Sequence, residues 1–202
     1  MKYFIVGLHS SGKQEIINIL ESYGVKCGKN FTNCEFLTEE MYNYDKYEKY
    51  SIMDVNDVFE NDAYIFIQEL PDGGKMNFTA HRWYEGLSKY SFDQNEVFVI
   101  SPDQLLAIPP KVINEEVCFV WLDNNKANRS TRYHNEKRAY NFNTRDEIER
   151  KDLGTFIKTL YTFNNSHILY FNNEEPNRIA AIIYTLINHP DMKDMYFKMF
   201  NN

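Results

Sequence analysis

An α/β fold with a mostly parallel central sheet is what this sequence predicts, on two observations. Three short runs, Tyr3 to Val6, Val117 to Leu122 and Ile168 to Phe171, are continuously apolar, the mark of strands buried on both faces. After each run comes a segment with apolar residues at helical spacing, and strands alternating with helices lay the helices over both faces of one sheet. The 202 residues suit a single domain spanning 1–202, and 43% hydrophobic against 25% charged residues is ordinary globular composition, which excludes a disordered or fibrous chain.

The elements follow in order. Tyr3 to Val6 breaks at Gly7, and from Lys13 to Tyr23 the residues Ile16, Ile17, Leu20 and Tyr23 trace a helix stripe that ends at Gly24, a C-cap glycine. From Cys27 to about Asn61 the chain is rich in Tyr, Glu, Lys and Asn and poor in aliphatic residues, as an insertion would be. Tyr64 to Ile67, Phe78 to Trp83 and Val97 to Ile100 read as strands, the first two separated by a turn at Pro71-Asp72-Gly73-Gly74. A short helix over Asp103 to Ala107 starts from Ser101-Pro102. Beyond Leu122 the stretch Asn124 to Asn143 is polar and carries Lys126, Arg129, Arg132, Lys137 and Arg138. Thr144 with Glu147 forms a capping box that opens a helix running through Ile148, Leu153, Phe156, Ile157 and Leu160. The last helix opens at Pro176, repeats Ile179, Ile182, Ile183 and Leu186, and stops at His189-Pro190.

Charge and cysteine usage narrow the setting. The net charge of -7 provides no general field for a nucleic-acid backbone, so no nucleic-acid partner is expected. Cys27, Cys34 and Cys118 form no paired spacing and suggest neither a disulfide framework nor a zinc site. The N-terminal apolar run is too short for a signal peptide, and no run approaches the roughly 20 residues of a membrane span. A cytoplasmic protein without a membrane partner is the expectation.

The chemistry concentrates at the first turn. Gly7, Leu8, His9, Ser10, Ser11, Gly12 and Lys13 fit GxxxxGK between a buried strand and an amphipathic helix, the setting in which backbone amides and a helix N-terminus cradle phosphate. This predicts an ATP-binding loop, Gly7 to Gln14, in a three-layer P-loop NTPase fold, with Lys13 reaching the β and γ phosphates. Gln14 stands where the motif has the Ser or Thr that touches magnesium. Asp123, just after VCFVWL, and Asp103, after a weaker strand, are candidates to hold Mg2+ through water. His81, His134, His167 and His189 are scattered and suggest no metal site.

The later segments resemble the guanylate kinase family of nucleoside monophosphate kinases, by their order more than by identity. Tyr50-Ser51-Ile52-Met53 with Phe59 resembles the family's YxF segment and following Phe. Phe66-Ile67-Gln68-Glu69 resembles its hydrophobic-Leu-Glu segment, and Asp103 in VFVISPDQ its strand-end acid. Arg129, Arg132 and Arg138, then Arg145 and Arg150 in TRDEIER, resemble its arginine-bearing lid and later helix, and HILYFNN its closing strand and Asn-bearing turn. The resemblance implies an inserted acceptor-binding region near 30–95 and a lid near 124–146. It implies transfer of the ATP γ-phosphate to a nucleoside or deoxynucleoside monophosphate, with Mg2+ accompanying ATP. Lys13, Arg129, Arg132, Arg138 and Arg150 would be catalytic; Tyr50, Glu69 and Asp103 would bind the acceptor. A monomer or a homodimer is compatible with it. The family's Thr-Thr-Arg segment has no counterpart between Phe31 and Asp45, where there is no arginine, and Lys29, Lys46 and Lys49 do not offer a bidentate fork. Two alternatives follow: a guanylate-kinase-like module that binds a protein partner without turnover, and a P-loop kinase of another small substrate.

Overall fold

The computed structural model describes residues 1–32, 48–49, 64–69, 84–113, 116–135, 141–151, 153–163 and 166–200. In chain order its elements are β1 (Lys2–Gly7), α1 (Lys13–Ser22), β2 (Phe31–Thr32), β3 (Glu48–Lys49), β4 (Tyr64–Glu69), β5 (Tyr84–Ser88), α2 (Lys89–Gln94), β6 (Val97–Ile100), α3 (Pro102–Ala107), β7 (Val117–Asp123), α4 (Lys126–Asn135), α5 (Phe142–Lys151), α6 (Leu153–Leu160), β8 (Ser166–Asn172), α7 (Pro176–Asn188) and α8 (Lys193–Phe200).

The three apolar runs become β1, β7 and β8, which with β6 form an all-parallel sheet in the order β6-β1-β7-β8. A bridge from Cys27 to Val97 adds one parallel contact beyond β6. Alternation along the strands builds the two outer layers. Tyr3 and Ile5 face Ile16, Ile17 and Leu20 of α1 and Ile179, Ile183 and Leu186 of α7. Phe4 and Val6 face the other way, into a layer holding Leu105 of α3 and Phe156 and Leu160 of α6. That second layer is aromatic: Phe4 lies 5.3 Å from Phe98 and 5.7 Å from Phe119, and Trp121 lies 4.6 Å from Phe156, centroid to centroid. The apolar runs are continuous because β1 and β7 have no solvent face.

A second sheet, in the order β3-β2-β5-β4, draws its strands from between residues 31 and 88. There β5 runs antiparallel to both β2 and β4, and β2 pairs in parallel with β3.

Several expected boundaries move. Gly24 does end α1, with φ of 82°, and Ser101 with Gln104 caps α3. The capping box expected at Thr144 does not form, because Asn141 Oδ1 accepts from the main-chain amides of Asn143 and Thr144 at 3.0 and 3.2 Å and starts α5 three residues earlier. The single helix expected through Leu160 is two, α5 and α6, with Ile148 and Ile157 exposed. Past His189-Pro190 a 3-10 turn leads into α8, which the sequence reading lacks. The strand expected at 78–83 and the turn at 71–74 lie outside the described residues, whereas Tyr84–Ser88 is a strand.

Candidate phosphate-binding site

The parallel register brings the C-terminal ends of β1, β7 and β8 to one edge, Gly7 opposite Leu122 and Asp123 opposite Asn172. The loop Leu8 to Gly12 leaves that edge and feeds α1, so the helix N-terminus faces whatever the loop encloses. Gly7 is required by space, since a Cβ there would lie 2.7 Å from Ser11 Oγ and 2.9 Å from the main-chain oxygen of Leu122. Gly12 is required by conformation, with φ of 92° at the N-cap of α1. Ser10 is also left-handed, at φ 53°. Loop residues His9, Ser10 and Ser11 are buried, and Ser11 Oγ has no hydrogen-bond partner among the described residues. The Lys13 ammonium lies over the loop, donating to the carbonyls of Gly7 at 2.7 Å and Leu8 at 2.9 Å.

Helices α4 and α5 close on this loop. Arg132 of α4 lies against it, its Cζ 3.5 Å from where a Gly12 Cβ would stand, and no ion pair of its guanidinium occurs among the described residues. Arg129, one turn earlier, is fully buried. It donates to Asn124 O at 3.1 Å, to His9 O at 3.4 Å and to the Asp146 carboxylate. Arg150 donates its Nε to both oxygens of Asp146 at 3.2 Å and is otherwise half exposed. Arg138 and Tyr50 lie outside the described residues.

Four residues absent from the sequence reading complete the surroundings. Asn124 donates to the Ser11 carbonyl at 2.6 Å and fixes the loop from the end of β7. Glu149 accepts from the His9 amide at 2.8 Å, lies 3.0 Å from His9 Nδ1, and receives Arg145 Nε at 2.7 Å. Burial pushes the Glu149 carboxyl up, but the His9 ring, the charges of Arg145 and Lys13 and the His9 amide outweigh it and bring it down to about 2. Phe142 packs on the His9 ring at 4.8 Å, and Asp146 anchors Arg129. No local pattern marks these residues; only the i,i+4 pairs Arg145/Glu149 and Asp146/Arg150 are visible in sequence, and such pairs usually decorate a solvated face.

The candidate metal carboxylates lie apart. Asp123 accepts the Tyr170 hydroxyl at 2.5 Å, which raises the phenol to about 12. Gln14 turns along α1 to donate to Asn18 Oδ1 at 3.3 Å. Asp103 stands at the start of α3 and accepts from Gln68 Nε2 at 3.3 Å, and Gln68 also donates to the buried Glu85 at 2.5 Å. Glu69 is exposed at the end of β4, so the polar cluster between the second sheet and α3 is Gln68, Glu85 and Asp103. Among the described residues no group of three or more His, Cys, Asp or Glu is placed to hold a metal ion, and no helix is long and apolar enough to cross a membrane.

A parallel sheet in the order β6-β1-β7-β8, a glycine-bounded loop after β1 and a basic helical arm over it can be set beside solved structures. Guanylate kinase from Anaplasma phagocytophilum superimposes with a TM-score of 0.50 at 11% identity, covering 95% of this chain and 86% of that one. The chain shares the fold of this guanylate kinase. Two further solved structures are less similar: a sugar kinase from Janibacter sp. HTCC2649, TM-score 0.40 at 15% identity over 93% and 95% of the two chains, and shikimate kinase from Aquifex aeolicus vf5, TM-score 0.37 at 15% identity over 95% and 99%. No protein-family model and no curated protein sequence matches this chain.

Proposed function

We propose that this protein is a P-loop kinase that moves the γ-phosphoryl group of ATP to a nucleoside or deoxynucleoside monophosphate. The observation that carries the reading is the loop itself: strand, Gly7, left-handed Gly12, Lys13 and helix N-terminus in register, with Arg132 lying against it. Phosphoryl transfer asks the protein for alignment and charge neutralisation more than for covalent chemistry. The loop amides and Lys13 would hold the donor phosphates, swinging the ammonium off the Gly7 and Leu8 carbonyls. Arg132 and Arg150 would meet charge on the transferred group, Arg138 joining them by its place in the sequence between the two. Arg129 would act through Asp146, holding α4 and α5 together. The acceptor would lie against Gln68, Glu85 and Asp103, with Tyr50 and Glu69 as further contacts. The likeness of the fold to a guanylate kinase supports this choice of acceptor class.

Magnesium enters with ATP as part of the substrate. Gln14, hydrogen-bonded to Asn18, offers no hydroxyl ligand, whereas Asp123 keeps Oδ1 without a hydrogen bond among the described residues. That donor set fits an ion reached through water, as Mg2+ usually is held.

A second reading rests on Gln14: a module that keeps the fold, binds nucleotide or a protein partner and has no turnover. The experiment is ADP formation from ATP and Mg2+ against a panel of ribo- and deoxynucleoside monophosphates, in the wild type and in Lys13→Ala, with calorimetry of each ligand. Turnover with one acceptor that disappears in a folded Lys13→Ala supports the kinase. Binding without turnover favours the module, and turnover unchanged in Lys13→Ala rules out the loop as the donor site.

A further inference from the structure

Anions bind phosphate loops, and this loop already faces an anion of its own chain. Glu149 reaches from α5, 140 residues downstream, onto His9 in the middle of Gly7–Lys13. Its side chain is 4% exposed, and its carboxylate takes the main-chain N–H of His9 at 2.8 Å and faces His9 Nδ1 at 3.0 Å. The same arm holds His9 at two further points. Phe142 of α5 lies 4.8 Å from its ring, and Arg129 of α4 donates to its carbonyl at 3.4 Å. The arm therefore holds the loop at His9, and the charge that joins them there has the sign of a phosphate.

The electrostatics run in one direction. Arg145 and Lys13 both stabilise the ionised Glu149, so the cations that would meet an incoming phosphate are partly committed to a carboxylate. A polyphosphate entering the loop would bring further negative charge next to a buried carboxylate, where repulsion is little screened.

We propose that Glu149 is an intramolecular latch: its carboxylate holds α5 on the phosphate loop, and a nucleotide polyphosphate binds in competition with it, freeing α5 from His9. This rests on reading Gly7–Lys13 as a nucleotide phosphate loop, and it assigns that site a regulator within the chain. Nucleotide occupancy and arm position are then linked, because a ligand shifts a two-state equilibrium by its differential affinity for the two states. The neutral isostere Glu149→Gln keeps an oxygen for the His9 amide while removing the repelling charge.

The test uses the full chain, with calorimetry of sodium tripolyphosphate and of ATP on the wild type and on Glu149→Gln, and amide hydrogen exchange of residues 142–151 in the wild type with and without ATP. The expected result is binding about tenfold tighter in Glu149→Gln for both ligands, and faster exchange in α5 when ATP is added to the wild type. Should the wild type bind and Glu149→Gln bind no tighter, or should α5 become more protected with ATP, the latch is overturned while the kinase reading stands. Should neither protein bind either ligand, both are overturned. If Glu149→Gln does not fold, the exchange measurement on the wild type decides alone.

Discussion

Arg129 and Asp146 form a buried ion pair that joins α4 to α5, with 0% and 3% of the two side chains exposed. Burial alone would push the Asp146 carboxyl up; hydrogen bonds and charge from Arg129 and then Arg150 outweigh it, so the group sits below the ordinary carboxylate range. Removing one member of a buried pair leaves an uncompensated charge, at about 3 to 5 kcal/mol. Arg129→Met is expected near the lower figure, about 3 kcal/mol, because Arg150 and Lys126 still face Asp146. In urea titrations the double variant Arg129→Met, Asp146→Leu should lose less than the two single losses combined. Strictly additive losses would show that the pair carries no coupling.

The two loop glycines are expected to fail differently. In Gly7→Ala the new methyl would press on the main-chain oxygen of Leu122, which cannot move without parting β1 from β7, so about 1 to 3 kcal/mol of stability is lost. At Gly12 a Cβ would make only ordinary contacts, the nearest at 3.5 Å, and the obstacle is φ of 92°. Gly12→Asn should therefore be milder than Gly12→Val, since Asn tolerates left-handed backbone. Thermal melts with tripolyphosphate binding check both; equal behaviour of the Asn and Val variants would contradict the conformational account.

How much of this was legible in sequence depends on where the determining force acts. The three core strands are visible because burial on both faces leaves an unbroken apolar run, and the loop is visible because a strand, GxxxxGK and an amphipathic stripe stand in order. The roles of the arginines are not, since Arg129 and Arg132 share one spacing pattern while one is buried on Asp146 and the other lies against Gly12. Glu149 is invisible because its partner is 140 residues away. The early start of α5 escapes because Asn141 and Thr144 are both good caps, and packing of Phe142 on His9 favours the earlier one. The helix after His189-Pro190 escapes because α8 is short and buries little beyond Phe197.

Acid should loosen the contact between the arm and the loop. Glu149 falls from an ordinary 4.5 to about 2 in the folded protein. A depressed folded value means the unfolded chain takes up the proton first. The stability is therefore fully present above about 4.5 and is lost as pH drops toward 2, on the order of 3 kcal/mol in all. Denaturant midpoints measured from neutral pH down to about 2 should fall less steeply in Glu149→Gln than in the wild type. Some slope should persist because Asp146 is depressed as well. Parallel curves for the two proteins would remove Glu149 as the source.

The last prediction concerns the acceptor. Glu85 is 8% exposed on β5, and Gln68 opposite it in register bonds both Glu85 and Asp103. Two carboxylates and an amide bridging them present mainly hydrogen-bond acceptors, which suits a base edge carrying N–H donors better than one carrying ring nitrogens alone. Glu85→Gln would put an amide N–H into that row and weaken the charge-assisted bond. A hydrogen bond to a charged group is worth about 1.5 to 3 kcal/mol, so acceptor affinity should fall about tenfold to a hundredfold. Donor affinity should stay as it was, because the cluster joins β4, β5 and α3 whereas the loop lies between β1 and α1. Calorimetry of ATP and of each nucleoside monophosphate on the same variant separates the two. A parallel loss of both would mean that Glu85 supports the fold, and no loss of either would place the acceptor elsewhere.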